Sequence, residues 1–301
     1  MRYRSRPRHA SSLRKILTKL AAYILVTRPL GWVIAIIVVC LGIFSAYGGI
    51  PSILLLMRGV VPCILILSAG YVVNQIYDVD IDRINVLMKE TGPMSSLPIA
   101  SGVMSIREAK IYAFSLYMLG LSLASMVSLE YLLCGLIGVI TGIAYSVPPI
   151  RLKNRAGFDV IINAFSFGPL CFCAGWSTLK PIIKIPLFKI IWLFLFVAAI
   201  YIPTTIIDVD FDRKLNVKTI AVTLGPRRAA VLCFVLLLIS LMVFTIFSWG
   251  SHFVYVHLFL LFMCTFLVKN PSPKRAFIFS ACIYLSCFIY FIFNVIMALL
   301  F

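Results

Sequence analysis

Apolar residues in this chain come in long unbroken runs rather than in alternation. Stretches of roughly 20 residues, the length a helix needs to cross the hydrocarbon of a bilayer, recur along the whole sequence. Nine are predicted, over 30–48, 52–76, 108–127, 130–148, 158–178, 187–207, 228–248, 252–268 and 276–299. Backbone N–H and C=O groups in hydrocarbon must be satisfied internally, and unbroken runs do so as helices, whereas a β-barrel would alternate with period two. The predicted fold class is therefore all-α: a polytopic membrane protein with nine transmembrane helices around a central cavity. Residues 1–19 read as a basic N-terminal arm and 20–301 as a single transmembrane domain.

Composition sharpens this picture. With 62% hydrophobic residues and a mean hydropathy of +1.07 over 301 residues, a soluble globule is excluded. A net charge of +17 could suggest nucleic acid, but the basic residues are distributed by topology. Arg2, Arg4, Arg6, Arg8, Arg14, Lys15 and Lys19 lie in the arm. With the N-terminus inside, the arm and the inside loops hold 22 of the 27 basic residues. The positive-inside rule then places the N-terminus in the cytoplasm and the C-terminus outside, with the basic excess facing anionic lipid headgroups. No nucleic-acid partner is expected. Nine cysteines show no metal-type spacing and mostly fall inside apolar runs, so they read as small packing residues. A cleaved leader is not expected, because Arg28-Pro29 breaks the first apolar run and no small-residue cleavage pattern follows.

The polar positions that remain are few and patterned. Ten residues are acidic, and six of them sit in two near-copies of one phrase, Asp78-Val-Asp-Ile-Asp82-Arg83 and Asp208-Val-Asp-Phe-Asp212-Arg213. Each phrase ends a long apolar run on the predicted inner side. A constant offset of 130 also matches Tyr71 with Tyr201 and Asn74 with Thr204, so the chain contains an internal repeat. Repeats in membrane proteins commonly build a shared site at their interface.

Residues four apart share a helix face. Asn74, Asp78 and Asp82 should line one face, and Asp208 and Asp212 the equivalent one, while Asp80 and Asp210 point away. Hard oxygen ligands without His or Cys select Mg²⁺, which keeps waters and is completed by phosphate oxygens. Facing carboxylates would repel one another without such a cation. The prolines of Tyr145-Ser146-Val-Pro-Pro-Ile-Arg151-Leu-Lys153 end the fourth helix and bring Arg151 and Lys153 into the same polar layer, where a diphosphate would need them. Lys89 follows the first phrase and Lys218-Thr219 the second. Arg28-Pro29 opens the first helix, with proline in its first turn. Arg58 is expected to anchor at the outer headgroups, and no histidine has ligand spacing with another.

These residues resemble the UbiA superfamily of intramembrane prenyltransferases. The resemblance rests on the Asn74-x-x-x-Asp78-x-x-x-Asp82 phrase, the Tyr145-to-Lys153 loop, the Asp208-x-x-x-Asp212 phrase, Arg28-Pro29 and Leu97-Pro-Ile-Ala-Ser-Gly102. It implies Mg²⁺-dependent transfer of an isoprenyl group from a prenyl diphosphate to a lipophilic acceptor, either an aromatic ring or a hydroxyl-bearing lipid, with release of diphosphate within the membrane lipid. By that pattern Asn74, Asp78, Asp82, Asp208 and Asp212 would hold the Mg²⁺–diphosphate, Arg83, Lys89, Lys153 and Lys218 would contact phosphate, and Tyr145 and Ser146 would line the cavity, with Arg28 of the first helix expected on its acceptor side. Gln75 stands where many members carry a further Asp. The stretch between Asn85 and Leu97 is longer than the family's usual linker.

Two other classes also use clustered acids. A divalent-cation transporter would want carboxylates at mid-membrane, whereas these end their helices. A lipid phosphotransferase of the CDP-alcohol type carries its acids in one contiguous motif, whereas here two motifs lie 130 residues apart. The topology makes a direct prediction: cysteine-labelling or fusion reporters should place both phrases and the 151–155 loop in the cytoplasm, with Phe301 outside. Phrases on opposite sides of the membrane would end the shared-site reading.

Overall fold

The computed structural model describes residues 8–88, 97–247 and 252–300, all of them helical or in helix connections. The basic arm is itself helical from Arg8 onward. In α1 (Arg8–Leu25), Ile16, Leu17, Leu20 and Ile24 all face outward, while Lys19 pairs with Glu108 and Tyr23 meets Tyr112 edge to face. Arg28 then takes a left-handed backbone (φ 51°), and a short turn at Pro29–Gly31 starts α2 (Trp32–Tyr47).

The apolar runs become helices where they are predicted. They are α2, α3 (Ile53–Tyr77), α5 (Ile106–Val127), α6 (Leu129–Ser146), the composite of α7 (Phe158–Phe165) and α8 (Cys171–Trp176), α9 (Leu187–Ile207), α12 (Pro226–Phe247), α13 (Phe253–Lys269) and α14 (Pro273–Leu300). Short α4 (Val79–Met88), α10 (Val209–Lys214) and α11 (Ile220–Leu224) connect them on one side. Among the described residues eight segments are long and apolar enough to cross a bilayer, and α13 is a further apolar helix of 17 residues. The fold is an all-α, multi-spanning membrane fold. Leu54, Met126, Met242 and Ile246 point outward, which suits lipid rather than water.

Two groups of helices carry the packing. α9 is the most enclosed, with α12, α14, α7 and α11 against it, and its buried residues join those of α2, α8, α12, α13 and α14 in one core. A second core joins Val26 to α3 and α5. α2 bridges the two, packing on α3 and on α8.

The fifth span is predicted as one helix over 158–178 but is not continuous. α7 (Phe158–Phe165) passes through a π-helical turn at Ser166–Leu170 into α8 (Cys171–Trp176). Pro169 lies in that turn and has no N–H to give the preceding turn, which explains the local widening.

α3 and α9 end in the same way. Asp78 (φ −101°, ψ 2°) and Asp208 (φ −96°, ψ 4°) both leave the helical region, yet the Asp82 and Asp212 N–H groups still donate to the Asp78 and Asp208 carbonyls at 2.8 Å. The repeat seen in sequence is thus a repeat of backbone geometry. Each phrase bends its helix instead of extending it straight.

α2 and α8 approach so closely that only glycine fits. A Cβ on Gly175 would meet the Val39 carbonyl oxygen at 2.1 Å, and one on Gly42 the Phe172 carbonyl oxygen at 2.4 Å. Gly175→Ala or Gly42→Ala should therefore cost about 1–3 kcal/mol through forced backbone shifts. Gly49→Ala, whose Cβ would meet only the Tyr47 ring at 3.7 Å, should be near neutral. Thermal unfolding in detergent measures the difference.

Candidate active site

The polar groups gather at the ends of α3, α6 and α9. Asp78, at the bend after α3, accepts from Arg151 Nη2 at 3.0 Å and from Lys153 Nζ, both from the loop after α6. That loop follows Val147 and carries Arg151 in a left-handed conformation (φ 38°). Arg28, Arg151 and Asn216 are the non-glycine residues with positive φ among those described, and all three lie in connections on this side. Such strain persists where surrounding contacts over-determine the backbone.

Asp82, one turn further on, is 8% exposed and makes no side-chain hydrogen bond or ion pair among the described residues. Burial and the neighbouring Asp78 push its carboxyl up to about 6, against the opposing pull of Arg28 and Lys153. Asp212 behaves alike: burial and Asp208 raise it to about 6, while the Thr219 hydroxyl donating at 3.2 Å and Lys153 oppose the rise. Lys153 thus acts on carboxylates of both phrases, and its own ammonium is pushed down by burial against the pull of Asp78.

Among the described residues no three His, Cys, Asp or Glu side chains converge into a ready-made metal cage. The acids instead stand as two pairs of hard oxygen donors, one with a buried, partnerless carboxylate. That donor set fits Mg²⁺, which binds through one or two carboxylates plus waters and phosphate oxygens rather than through a full protein cage.

The other predicted residues divide. Asn74 Nδ2 donates to Ser146 Oγ at 3.2 Å, and the Tyr145 and Tyr201 hydroxyls lie 2.9 Å apart, so these four come together. Arg28 lies over the Tyr71 ring, 5.9 Å from its centroid. Arg83 is turned away: it reaches Asp80 at 3.3 Å on the exposed side, as Arg213 reaches Asp210 at 3.8 Å. Spacing explains this, since residues three apart on a helix are neighbours. Lys218 is exposed, next to buried Thr219. Lys89 lies outside the described residues. Gln75 is buried and donates to the Val26 carbonyl at 2.9 Å, so it ties α3 to the end of α1.

Below this layer lie two adjacent cavities. One, of about 140 Å³ between α3, α6 and the α7–α8 turn, is lined by Asn74, Gly138, Tyr145 and Leu170 among others. The second, of about 200 Å³, is lined by Arg28, Tyr201, Thr204 and Tyr284. Tyr71, Tyr145, Asn163 and Phe167 line both, so they form a junction.

Asp159 was given no role by sequence reasoning. It is 1% exposed, accepts from Gly157 N at 2.9 Å and from Ile220 N at 3.0 Å, and so ties the start of α7 to the start of α11, next to Thr219. Its place in the first turn of a span, two residues after a glycine, was the available signal.

The UbiA prenyltransferase family model matches residues 35–292. A digeranylgeranylglyceryl phosphate synthase from Pyrococcus abyssi is 30% identical over 213 residues, covering 70% of this chain and 72% of the relative. One from Saccharolobus solfataricus is 28% identical over 219 residues, again covering 70% and 72%. A UbiA homolog from Archaeoglobus fulgidus, solved bound to GPP and Mg²⁺, shares the fold with a TM-score of 0.69 at 24% identity, over 90% of this chain and 99% of that one.

Asp159→Ala would leave the buried Ile220 N–H without an acceptor, at about 1–3 kcal/mol, and would free the half-buried Gly157 N–H as well. We expect a lower melting temperature and faster hydrogen exchange at residues 217–222, with Asp159→Asn intermediate. Unchanged exchange there would remove the tie assigned to this carboxylate.

Proposed function

The chain belongs to the UbiA prenyltransferase family, and on that premise we propose that it moves an isoprenyl group from a prenyl diphosphate to a lipophilic acceptor held in the membrane. The observation that carries this reading is Asp78 locked to Arg151 and Lys153 beside partnerless Asp82, directly above an apolar cavity. A diphosphate headgroup needs cations at the layer, and its hydrocarbon chain needs the cavity. The names of the synthases from Pyrococcus and Saccharolobus, which carry a glyceryl phosphate lipid, support a lipid acceptor.

Asn74, Asp78, Asp82, Asp208 and Asp212 would hold Mg²⁺ and, through it, the diphosphate. When bound, the ion supplies charge neutralisation of the diphosphate. Arg151 and Lys153 add fixed positive charge at the same oxygens, and Arg151 Nε is buried without a partner, a donor still to be used. As the allylic C–O bond breaks, its electron pair leaves with the diphosphate and these cations meet the charge. The acceptor nucleophile forms the new bond to that carbon and gives up its proton. Tyr71, Tyr145 and Tyr201 surround the junction, so aromatic rings rather than water face the developing allylic cation. Ser146 fixes Asn74, and Arg28 stands on the acceptor side.

The same reading completes the topology. α13, with 17 residues, is about 25 Å long, close to the hydrocarbon thickness, and serves as a ninth crossing. Nine crossings put the phrases and the N-terminus inside and the C-terminus outside, with 20–301 as one transmembrane domain around a shared cavity behind the basic segment 1–19.

In a transfer assay with a prenyl diphosphate and membrane lipid extract, Mg²⁺ chelation should abolish turnover. Alanine at Asp78, Asp82, Asp208 or Asp212 should greatly reduce it with the protein still folded. Asp80→Ala and Asp210→Ala should be milder, because both side chains are exposed and paired with arginine. Lys153→Ala should weaken an unreactive diphosphate analogue by about 1.5–3 kcal/mol, one charge-assisted contact, whereas Arg28→Ala should slow transfer and spare that affinity. Full activity of Asp78→Ala and Asp208→Ala would refute the function.

A further inference from the structure

The ends of the spans opposite the acid layer hold little charge. The connection between α2 and α3, residues 48–52, has none, and that between α5 and α6 leads only to Glu130. The stretch from the end of α8 into the first turn of α9 is different, with Lys180, Lys184 and Lys189. On the proposed topology this is the outer side, where the positive-inside rule depletes lysine. Three lysines in one connection therefore need a local reason.

Two of them converge on one ring. Lys180 Nζ lies 5.6 Å from the centroid of the Trp176 ring and Lys189 Nζ 5.7 Å, so the two ammonium groups are no farther apart than the sum of those distances. The ring is fixed. Trp176 is 5% exposed, its Nε1 donates to the Pro181 carbonyl at 3.1 Å, and its helix is locked to α2 at Gly42 and Gly175. The connection that carries Lys180 is stitched down as well. The Lys180 N–H donates to the Trp176 carbonyl at 3.1 Å, Ser128 Oγ to the Ser177 carbonyl at 3.0 Å, and the Ile182 N–H to Glu130 Oε2 at 2.7 Å. Like charges are thus held near one another by the fold, at a cost that the ring face offsets only in part.

No anion answers them. Among the described residues neither ammonium makes a hydrogen bond or an ion pair. Glu130 is engaged by the Ile182 N–H, and Arg58, a further cation at this end, donates to the Met126 and Val127 carbonyls at 3.1 and 3.0 Å. Around the pair the surface is apolar: Ile183 is 90% exposed and Leu187 69%, and both lie between the two lysines in the chain. Paired cations rimmed by hydrocarbon at a membrane boundary suit a molecule with an anionic head and apolar tails. A free anion has nothing to place against Ile183 and Leu187.

We propose that Lys180, Lys189 and the Trp176 indole form a headgroup site for an anionic phospholipid in the leaflet opposite the acid layer. The phosphate lies between the two ammonium groups and the chains run along Ile183 and Leu187, so the bound lipid neutralises the pair and ties the end of α8 to the start of α9. Lys189 is about 28 Å along α9 from Asp208, and the proposal stands independently of the prenyl-transfer reading. The test is native mass spectrometry of the full chain from micelles doped with phosphatidylglycerol or phosphatidylcholine, with thermal unfolding alongside. Phosphatidylglycerol should be retained and should raise the melting temperature. Phosphatidylcholine, whose phosphate is neutralised within its own headgroup, should do neither. Lys180→Ala and Lys189→Ala should each raise the apparent Kd for phosphatidylglycerol roughly five- to tenfold, and Lys180→Arg should keep it. Lys184→Ala, on the same connection but not over the ring, should leave it unchanged. Lys180 is exposed, so its variants test the site even if Lys189→Ala misfolds. Equal retention of the two lipids, or a loss for Lys184→Ala as large as for Lys180→Ala, would overturn the site, since bulk surface charge would then account for binding. Inorganic phosphate that raises the melting temperature as much as phosphatidylglycerol, with the same sensitivity to Lys180→Ala, would overturn the lipid assignment and make the ligand a free anion.

Discussion

The polar layer depends on one half-buried charge cluster, Asp78 with Arg151 and Lys153. Taking ions out of water costs several kcal/mol each, and good geometry is what offsets it. The cluster joins the bend after α3 to the loop after α6, positions 73 and 75 residues apart in the chain. It also accounts for the strained backbone of Arg151, which is held at its side chain by Asp78 and at its N–H by the Val147 carbonyl at 3.0 Å. Asp82 sits one turn beyond Asp78, and its raised proton affinity reflects burial first and the charge of Asp78 second.

How much of this could be read from sequence follows from the range of each interaction. Helix positions were legible because crossing hydrocarbon imposes a length and forbids exposed backbone, and both leave long apolar runs. The acid phrases were legible because carboxylates are scarce here and repeat at a fixed offset. The helicity of α1 was not, because charge alone defined the arm, although Ile16, Leu20 and Ile24 recur at helical spacing. The bend at each first aspartate was missed for a related reason: four-residue spacing is compatible with a straight or a bent helix. Arg83 was expected at phosphate through the family resemblance, whereas the three-residue step to Asp80 turns it to the exposed side here. Gln75 and Asp159 depended on partners 49 and 61 residues away, which no local pattern encodes.

The repeat is symmetric in backbone and asymmetric in chemistry. Both halves bend at an aspartate, and both carry a tyrosine seven residues earlier. In the first half, Asn74 faces Ser146 and Asp78 faces two cations. In the second, Thr204 takes the asparagine's place and Asp212 meets a threonine hydroxyl. An anion leaving the first half would therefore be met there by fixed charge. The two halves touch through the Tyr145–Tyr201 hydroxyl pair, at the junction where the two cavities share their walls. On the prenyl-transfer reading, this fixes where a bond can form. A donor held at Asp78 would have its allylic carbon below the acid layer, where Tyr71, Tyr145 and Tyr201 lie, so the bonding point is set by how the helices bring these rings together rather than by any single side chain.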